Sequence, residues 1–490
     1  MSYNDFISVL PLLVLTGTGF LVLLWDAFSK KPSRAPLTLT MLGGVGAIAA
    51  AAANLMNSSS VAFGGLFFSN SFTNFFTIIF SAAVILTSML AERYLQGKEV
   101  ITGEFSALLI FSAVGMVMLA SGANLIVTFL GLETMSVSFY VLAGLYRTEA
   151  RSNEASLKYF LLGAFATGFF LYGIALIYGC TGTMSLVDIR GTMAATGAQP
   201  RIASPDSTLL LLGSVLLIVG LAFKVAAFPF HQWAPDVYEG SPSIVSGFMS
   251  TAGKTAAFAS FALIFGYALI PNGHPHGGME KVQMILAILA ALSMLYGNIV
   301  AIAQTKIKRM LAYSSVAHAG YLLLGVTALN ANGQKGIAVY SAVYTLMQIG
   351  AFGVVSYLER EDGVGLELAD YAGLSKRRPY LALLMSILMF SLAGIPPFAG
   401  FFGKYYLFMA ALDAGMTWVV IVGVISSIIA SFFYLRVIVQ MYFTEPKHVT
   451  EPAKEGFSFP MIAVGLAVVA LLVFGLQPSL LLQGIGYFFQ

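Results

Sequence analysis

Charged residues are scarce in this chain. Of its 490 residues only 10% are Asp, Glu, Lys or Arg, and 58% are hydrophobic, whereas a soluble domain carries about 25% charged residues. So few charges cannot cover the surface of a water-soluble protein of this length, and most of the outside must face lipid. The net charge of +3 is too small to suggest a nucleic-acid partner.

Cysteine is almost absent as well, since Cys180 is the only one. A single thiol excludes an intramolecular disulfide framework and a cysteine-ligated iron–sulfur cluster. The sequence also offers no Ser/His/Asp or Cys/His nucleophile arrangement. We therefore expect a chain with no redox centre, metal or other cofactor of its own.

The chain has long apolar runs instead. These runs do not show the ten-residue alternation of a membrane β-barrel, and they predict an all-α polytopic membrane protein. We place about fourteen transmembrane helices at roughly 6–27, 37–56, 72–92, 105–121, 123–145, 155–179, 207–228, 241–268, 282–304, 308–329, 336–358, 379–411, 416–442 and 458–478.

Basic residues are unevenly distributed between the predicted loops. Seventeen lie on one side of the membrane, and only Arg190, Arg201, Lys281 and Lys335 lie on the other. The positive-inside rule places the larger group in the cytoplasm and both termini on the opposite side.

Five ionisable residues remain within or at the ends of the apolar helices: Glu133, Lys158, Lys224, Lys254 and Lys404. Each costs about 2.5–3.5 kcal/mol to insert. Ion pairs that fix helix register are one use for such residues, but a single carboxylate cannot neutralise four lysines. Because burial favours the uncharged form of a lysine, these side chains suit a proton carrier. We expect Glu133, near mid-bilayer, to pair with Lys224.

Two of the predicted helices are interrupted. Pro229 follows Lys224 by five residues, and Pro396 and Pro397 precede Lys404 in a glycine-rich segment. Proline removes a backbone donor, and irregular backbone at membrane depth is tolerated only where it is buried or lines a polar cavity. Paired interrupted helices in two halves of a chain indicate an inverted-repeat transporter.

The interruptions lie about five spans apart, and an odd number of spans inverts the second copy of a repeat. We therefore predict one membrane domain, 1–490, with two inverted five-helix repeats at 105–268 and 282–442, each containing a broken helix. Residues 1–104 would add three helices before the repeats, and 443–490 would add one helix after them.

Two histidines are candidate proton relays, because histidine titrates near neutral pH. His231 lies just beyond the first interruption, and a hydrogen-bonded structural role is an equal alternative for it. His318 lies about ten residues inside the tenth predicted span, where a relay role is favoured over packing.

Six segments between Phe105 and Tyr442 resemble one known family. They read GLETMSVSFYVL, LKYFLLGAFATGFFLYG, FKVAAFPFHQWAPDVYEGSP, GKTAAF, KRMLAYSSVAHAGYLLLG and GIPPFAGFFGKYYLF. They are similar to the subunit N family of bacterial NADH-quinone oxidoreductase (respiratory complex I), one of three antiporter-like, proton-translocating families of that complex. The segments PDVYEGSP and KYFLLGAFATG favour subunit N over its sister subunits L and M.

The resemblance implies roles for the buried groups. Glu133 and Lys224 would form the mid-membrane pair, Lys254 and His318 would continue the polar axis, and Lys404 would gate the far half-channel. Each of these would take part in proton transfer.

The resemblance also implies where the chain is located and which subunits surround it. The chain would lie in the cell inner (plasma) membrane, with lipid and the other membrane-arm subunits as its partners. NAD, FMN, iron–sulfur clusters and quinone would be held by partner subunits. Lys158 matches a family-typical position but lies near a helix end, so its role is secondary, like that of His231.

Three other functions stay open at this stage. The chain could serve a multisubunit cation/proton antiporter, a quinone reductase that takes electrons from ferredoxin, or a membrane arm in which it is a non-pumping structural spacer. Proton is favoured over sodium as the transported ion, because the buried groups are mostly lysines and a hard cation requires oxygen ligands.

Overall fold

The computed structural model describes residues 3–29, 33–55, 60–96, 102–194, 207–271, 275, 278–361, 365–445 and 458–480. This part of the chain is a helical bundle with one small antiparallel hairpin, Ser60–Ala62 paired with Phe67–Ser69. Within it, twelve helices are long and apolar enough to cross a membrane. The all-α polytopic fold is thereby confirmed, and the count of fourteen spans stays a prediction.

The helices of the first half follow the predicted spans closely. They are α1 (Tyr3–Ser8), α2 (Leu10–Phe28), α3 (Ala35–Asn54), α4 (Ser71–Tyr94), α5 (Thr102–Ser121), α6 (Leu125–Ala143), α7 (Ala150–Thr181), α8 (Leu186–Ala194), α9 (Ser207–Lys224), α10 (Trp233–Gly240), α11 (Ser243–Phe248) and α12 (Lys254–Phe261). Local signals set several ends. Asn70 caps α4 through its side chain, Asn124 caps α6, and α7 ends at Gly182 with φ +70°.

The second half contains α13 (Met279–Ile302), α14 (Ile307–Ala328), α15 (Ala331–Glu361), α16 (Leu374–Arg377), α17 (Pro379–Ala393), α18 (Ala399–Asp413), α19 (Thr417–Phe443) and α20 (Phe459–Leu476). Short 3₁₀ turns lie at Phe63–Gly65 and Leu368–Tyr371. Helices α11 and α12 belong to one rod that continues through π-helical turns at Met249–Gly253 and Ala262–Leu269. Such turns are frequent at functional sites.

Helix pairs α5–α6 and α13–α14 are among those that cross at backbone contact. In α5 and α6 an added Cβ on Gly115 would overlap the backbone of Met135, and one on Gly131 would lie 2.6 Å from the Leu119 nitrogen. In α13 and α14 an added Cβ on Gly297 would meet the backbone nitrogen of Ala317 at 2.6 Å. Small residues permit this close approach in membranes. Because these pairs open the two predicted repeats, 105–268 and 282–442, they support that division, which stays a prediction.

The bundle turns apolar side chains outward and keeps its polar groups inside. Phe165 on α7 and Ile428 on α19 are each 69% exposed, whereas α14 is buried along nearly its whole length. A surface of this kind suits lipid or a membrane partner. Helices α12, α14 and α15 form the core that carries the polar groups.

Candidate functional site: a line of buried lysines

The first broken helix ends at Lys224, the last residue of α9. Residues 225–232, which include Pro229, are non-helical before α10 begins. Side chains satisfy the freed backbone groups: the Phe228 nitrogen donates to Ser293 Oγ on α13 (2.9 Å), and Trp233 Nε1 donates to the Phe223 carbonyl (2.9 Å). The interruption is therefore fixed in place and tied to the second half of the chain.

Lys224 is held by hydroxyl groups. Its side chain is 5% exposed, and its ammonium donates to Ser136 Oγ and to the Tyr159 hydroxyl, both at 2.9 Å. The Phe139 ring centre lies 5.3 Å from Lys224 Nζ, within reach of a cation–π attraction. The indole of Trp233 stacks on Tyr159 at 4.3 Å between ring centroids and fixes that phenol.

The predicted ion pair between Glu133 and Lys224 is not formed. Glu133 lies midway along α6, as expected, but its Oε1 accepts a hydrogen bond from Thr167 Oγ1 on α7 at 2.8 Å. Ser136, the group that receives the Lys224 ammonium, is one helical turn further along the same face. The two charges are therefore neighbours that bind separate hydroxyl groups.

Lys254 begins α12 directly after a π-helical turn and is 1% exposed. Its ammonium donates to the Ser315 carbonyl on α14 at 2.9 Å. The Phe139 ring faces Lys224 and also lies against Gly253, the residue before Lys254, where an added Cβ would meet it. Lys254 thus follows a residue that packs on the ring facing Lys224, and its own ammonium reaches α14.

His318 is one turn beyond Ser315 on α14 and is 1% exposed. Its Nδ1 shares a hydrogen bond with the Tyr340 hydroxyl (2.5 Å), and its Nε2 shares one with the Tyr434 hydroxyl (2.9 Å). Tyr434 in turn bonds Ser314. The imidazole is therefore part of a buried chain of hydroxyls, an arrangement that can pass a proton.

Lys404 lies at the second broken helix. Residues 394–398, which include Pro396 and Pro397, separate α17 from α18. The Lys404 ammonium donates to the carbonyls of Leu392 and Ala393 at the end of α17 (3.2 and 3.0 Å) and to Ser427 Oγ (3.0 Å). The negative end of a helix dipole stabilises a cation there.

A single aromatic ring separates Lys404 from His318. The Tyr321 ring centre lies 4.7 Å from Lys404 Nζ and 5.6 Å from the His318 ring centroid. The order along the bundle is therefore Lys224, Lys254, His318 and Lys404, with Phe139 beside Lys224 and Gly253 and with Tyr321 between His318 and Lys404. The structure brings four of the predicted site residues into one buried line, with Glu133 beside its first member.

Lys158 does not belong to this line. Its side chain is 43% exposed, and its ammonium contacts Glu154 (2.7 Å) and Asp236 (3.0 Å). The expectation of a fourth buried lysine is wrong, because this residue is only two turns into α7 and reaches the end of the bundle. It belongs to a surface cluster with Asp236, Glu239, Lys306 and Arg309, which ties α7 and α10 to α14.

His231 is also outside the line. It is 6% exposed and packs against the rings of Phe228 (5.4 Å) and Tyr296 (4.6 Å). Among the residues that the structure describes, its Nδ1 has no hydrogen-bond partner. These ring contacts pack His231 beside the first break, and the choice between a proton relay and a hydrogen-bonded structural role stays a prediction.

Glu239 is the most buried acid of the surface cluster. Burial raises the pKa of its carboxyl, but hydrogen bonds from Lys306 and Arg309 outweigh that effect and hold the pKa below its usual range. At Asp236, burial also raises the pKa of the carboxyl, and hydrogen bonds from Arg309 and Lys158 outweigh that effect, so this pKa is lowered as well. A lowered carboxyl pKa stabilises the fold above the ordinary pKa, and that contribution is lost as the pH falls below it.

We expect Glu239→Gln to destabilise the subunit by about 1 kcal/mol at pH 7, since the ion pairs are partly exposed. The thermal midpoint of the purified complex, measured from pH 7 downward, should show a constant deficit that shrinks below the ordinary glutamate range. Glu280→Gln, at an exposed acid in the first turn of α13, is the matched control. A deficit that grows as the pH falls would contradict the assignment.

Several site residues were missed by sequence reasoning. Ser136 has a signal, because it lies three residues after Glu133 and shares its face. Asp236 and Glu239 lie within the PDVYEGSP segment used for the resemblance. Thr167 and Tyr159 carry no signal, because hydroxyl and phenol side chains are ordinary members of apolar helices.

Comparison with known proteins decides the family. The family model described as NADH:quinone oxidoreductase/Mrp antiporter, TM matches residues 122–430. NADH-quinone oxidoreductase subunit N 1 of Chloroherpeton thalassium is 42% identical over 483 residues, covering 98% of this chain and 97% of that protein. The chain belongs to the subunit N family.

Solved structures share the fold of this chain. A chain of respiratory complex I from Thermus thermophilus with bound aureothin is 34% identical, with a TM-score of 0.81 over 96% of this chain and 98% of that one. A chain of the Mrp complex from Dietzia sp. shares the fold at 22% identity, with a TM-score of 0.85 over 100% of this chain and 97% of that one. The resemblance to subunit N is confirmed.

Proposed function

We propose that this chain is a proton-translocating membrane-arm subunit of an NADH-quinone oxidoreductase, which couples quinone reduction elsewhere in the complex to proton transfer through its buried line. The observation that carries the proposal is the line itself. Three lysines with at most 5% of their surface exposed, and one histidine, follow one another across both halves of the bundle. Among the residues that the structure describes, each lysine donates its hydrogen bonds to hydroxyl or carbonyl oxygens.

The chemistry of these groups favours protons as the cargo. A buried lysine without a bound carboxylate has no negative charge to hold its proton in place. Its site therefore allows the amine to gain and lose a proton. A positively charged ammonium repels sodium ions. Movement of the Glu133 carboxylate toward Lys224 would hold the proton there, and its withdrawal would release the proton toward Lys254, His318 and Lys404.

The proposed surroundings follow from the family. The related proteins are named as subunits of NADH-quinone oxidoreductase, so NAD, FMN, iron–sulfur clusters and quinone are assigned to partner subunits. The neighbours in the membrane would be sister antiporter-like subunits and lipid. The distribution of basic residues supports a cytoplasmic location for the face that carries most of them. It supports a location on the periplasmic side of the inner membrane for both termini.

The middle of the line provides the test. In inverted membrane vesicles supplied with NADH, Lys254→Met should lower proton uptake at least tenfold at an unchanged amount of assembled complex, because a positioned proton carrier contributes about 100-fold or more. Lys281→Met, at an exposed lysine in the first turn of α13, is the matched control and should leave uptake unchanged.

The other outcomes separate the alternatives. Proton uptake at the wild-type level in Lys254→Met would indicate that the chain is a structural spacer. If NADH drives no uptake even in wild-type vesicles, whereas an imposed sodium gradient does, the chain serves a cation/proton antiporter.

A further inference from the structure

The Thr167 hydroxyl on α7 lies within hydrogen-bond distance of two acceptors. Its Oγ1 is 2.8 Å from Glu133 Oε1 and 3.0 Å from the Gly163 carbonyl in the preceding turn of its own helix. A hydroxyl carries one proton, so it donates fully to one of these acceptors at a time. Thr167 therefore has two satisfied positions.

Glu133 has a second binding position within reach. Ser136 is on the same face of α6, and side chains three residues apart in a helix have Cβ atoms about 5–6 Å apart. Because the Lys224 ammonium lies on Ser136 Oγ at 2.9 Å, a rotamer change would bring the Glu133 carboxylate from Thr167 toward Lys224. Ser136 keeps its own acceptor, the Leu132 carbonyl, in either case.

The two helices themselves are fixed. Ser156 Oγ on α7 donates to the Tyr140 carbonyl on α6 at 2.7 Å, and Ser152 Oγ donates to the Ala143 carbonyl at 2.9 Å. The Tyr140 hydroxyl lies against the Cα of Gly163, where an added Cβ would overlap it. These contacts tie α6 to α7 on both sides of Gly163, so the proposed change needs side-chain movement alone.

We propose that Thr167 is a positioning residue that holds Glu133 away from Lys224, an inference that rests on the proposed function. With Glu133 on Thr167, the Lys224 ammonium has neutral partners and its proton can leave along the line. When Glu133 swings to Lys224, the Thr167 hydroxyl turns to the Gly163 carbonyl, so this donor keeps a partner in either position. A movement of the arm that favours one of the two positions then shifts the population toward it.

Thr167→Val removes the hydroxyl and keeps the shape. A hydrogen bond to a charged group shifts a two-position equilibrium by about tenfold or more. In NADH-supplied inverted vesicles the variant should therefore show about tenfold lower proton uptake, because Glu133 then stays on Lys224. Thr167→Ser, which restores a hydroxyl, should recover wild-type uptake at equal assembly.

Two further measurements separate positioning from packing. In a Glu133→Gln background, Thr167→Val should have no additional effect. In redox-induced infrared difference spectra, Thr167→Val should shift the carboxylate band that Glu133→Gln abolishes, and Thr167→Ser should return it.

Wild-type uptake and an unshifted band in Thr167→Val, or equal losses in Thr167→Val and Thr167→Ser, would overturn the inference. If Lys254→Met abolishes uptake and Thr167→Val changes neither readout, the switch fails and the proton path stands. If Lys254→Met leaves uptake intact, the proposed function fails with it.

Discussion

Replacing Lys224 by methionine is expected to reduce NADH-driven proton uptake by about 100-fold or more, the contribution of a positioned proton carrier. The fold should survive the change. The ammonium is buried on two hydroxyls without a bound carboxylate, and methionine removes a buried charge whose desolvation is costly. Of the two hydroxyl partners, Ser136 keeps a hydrogen bond, since it still donates to the Leu132 carbonyl.

The diagnostic result is therefore a large loss of proton uptake at an unchanged thermal midpoint of the complex. Proton uptake, quinone-reductase rate and the thermal midpoint of the complex are measured on the same membranes. The control is Lys281→Met, which removes an exposed ammonium and should leave all three unchanged. Coupled proton uptake at the control level in Lys224→Met would contradict the assignment of this lysine to the path.

Gly400→Ala is expected to produce the largest structural effect. An added Cβ at this position would overlap the carbonyl oxygen of Ser391, where α18 crosses the end of α17, and the Gly400 nitrogen already bonds Ser391 Oγ (3.2 Å). The obstacle is backbone, which cannot rotate away. Overpacking costs about 1–3 kcal/mol and occasionally more, and Lys404, one turn further along α18, would leave the carbonyls of Leu392 and Ala393.

The measurement is the amount of assembled complex in the membrane, together with proton uptake per complex. Both should fall sharply in Gly400→Ala. Gly168→Ala is the matched control, because an added Cβ there has nothing within 4 Å, and it should be neutral or slightly stabilising. Normal assembly with normal proton uptake in Gly400→Ala would contradict this prediction. It would show that α17 and α18 can move apart without a loss of stability or function.

The fold was largely predictable because long apolar runs in a charge-poor chain leave helices as the main solution. The predicted break near Pro229 corresponds to the end of α9 at Lys224, and the predicted span 379–411 is divided into α17 and α18 around Pro396. Both breaks have a local cause, because proline lacks a backbone N–H donor. The position of a proline is read directly from the sequence.

The partners of the buried groups were not predictable to the same degree. The charges of Glu133 and Lys224 suggested a pair, yet each binds a hydroxyl on a neighbouring helix. Which side chains meet depends on how α6, α7 and α9 cross, and apolar sequence carries little information on that. Lys158 was misplaced although one of its acidic partners, Glu154, lies only four residues away; the other partner, Asp236, lies 78 positions away in the chain.

The Phe139 ring, which faces Lys224 and lies against Gly253, has a consequence for energy conservation under the proposed function. An unbroken file of hydroxyls and amines would conduct protons down their gradient at all times, with or without electron flow. A phenyl ring has no lone pair to receive a proton, so a ring beside the first lysine offers no acceptor on that side. In a proton-translocating subunit such a ring would oppose leakage at rest.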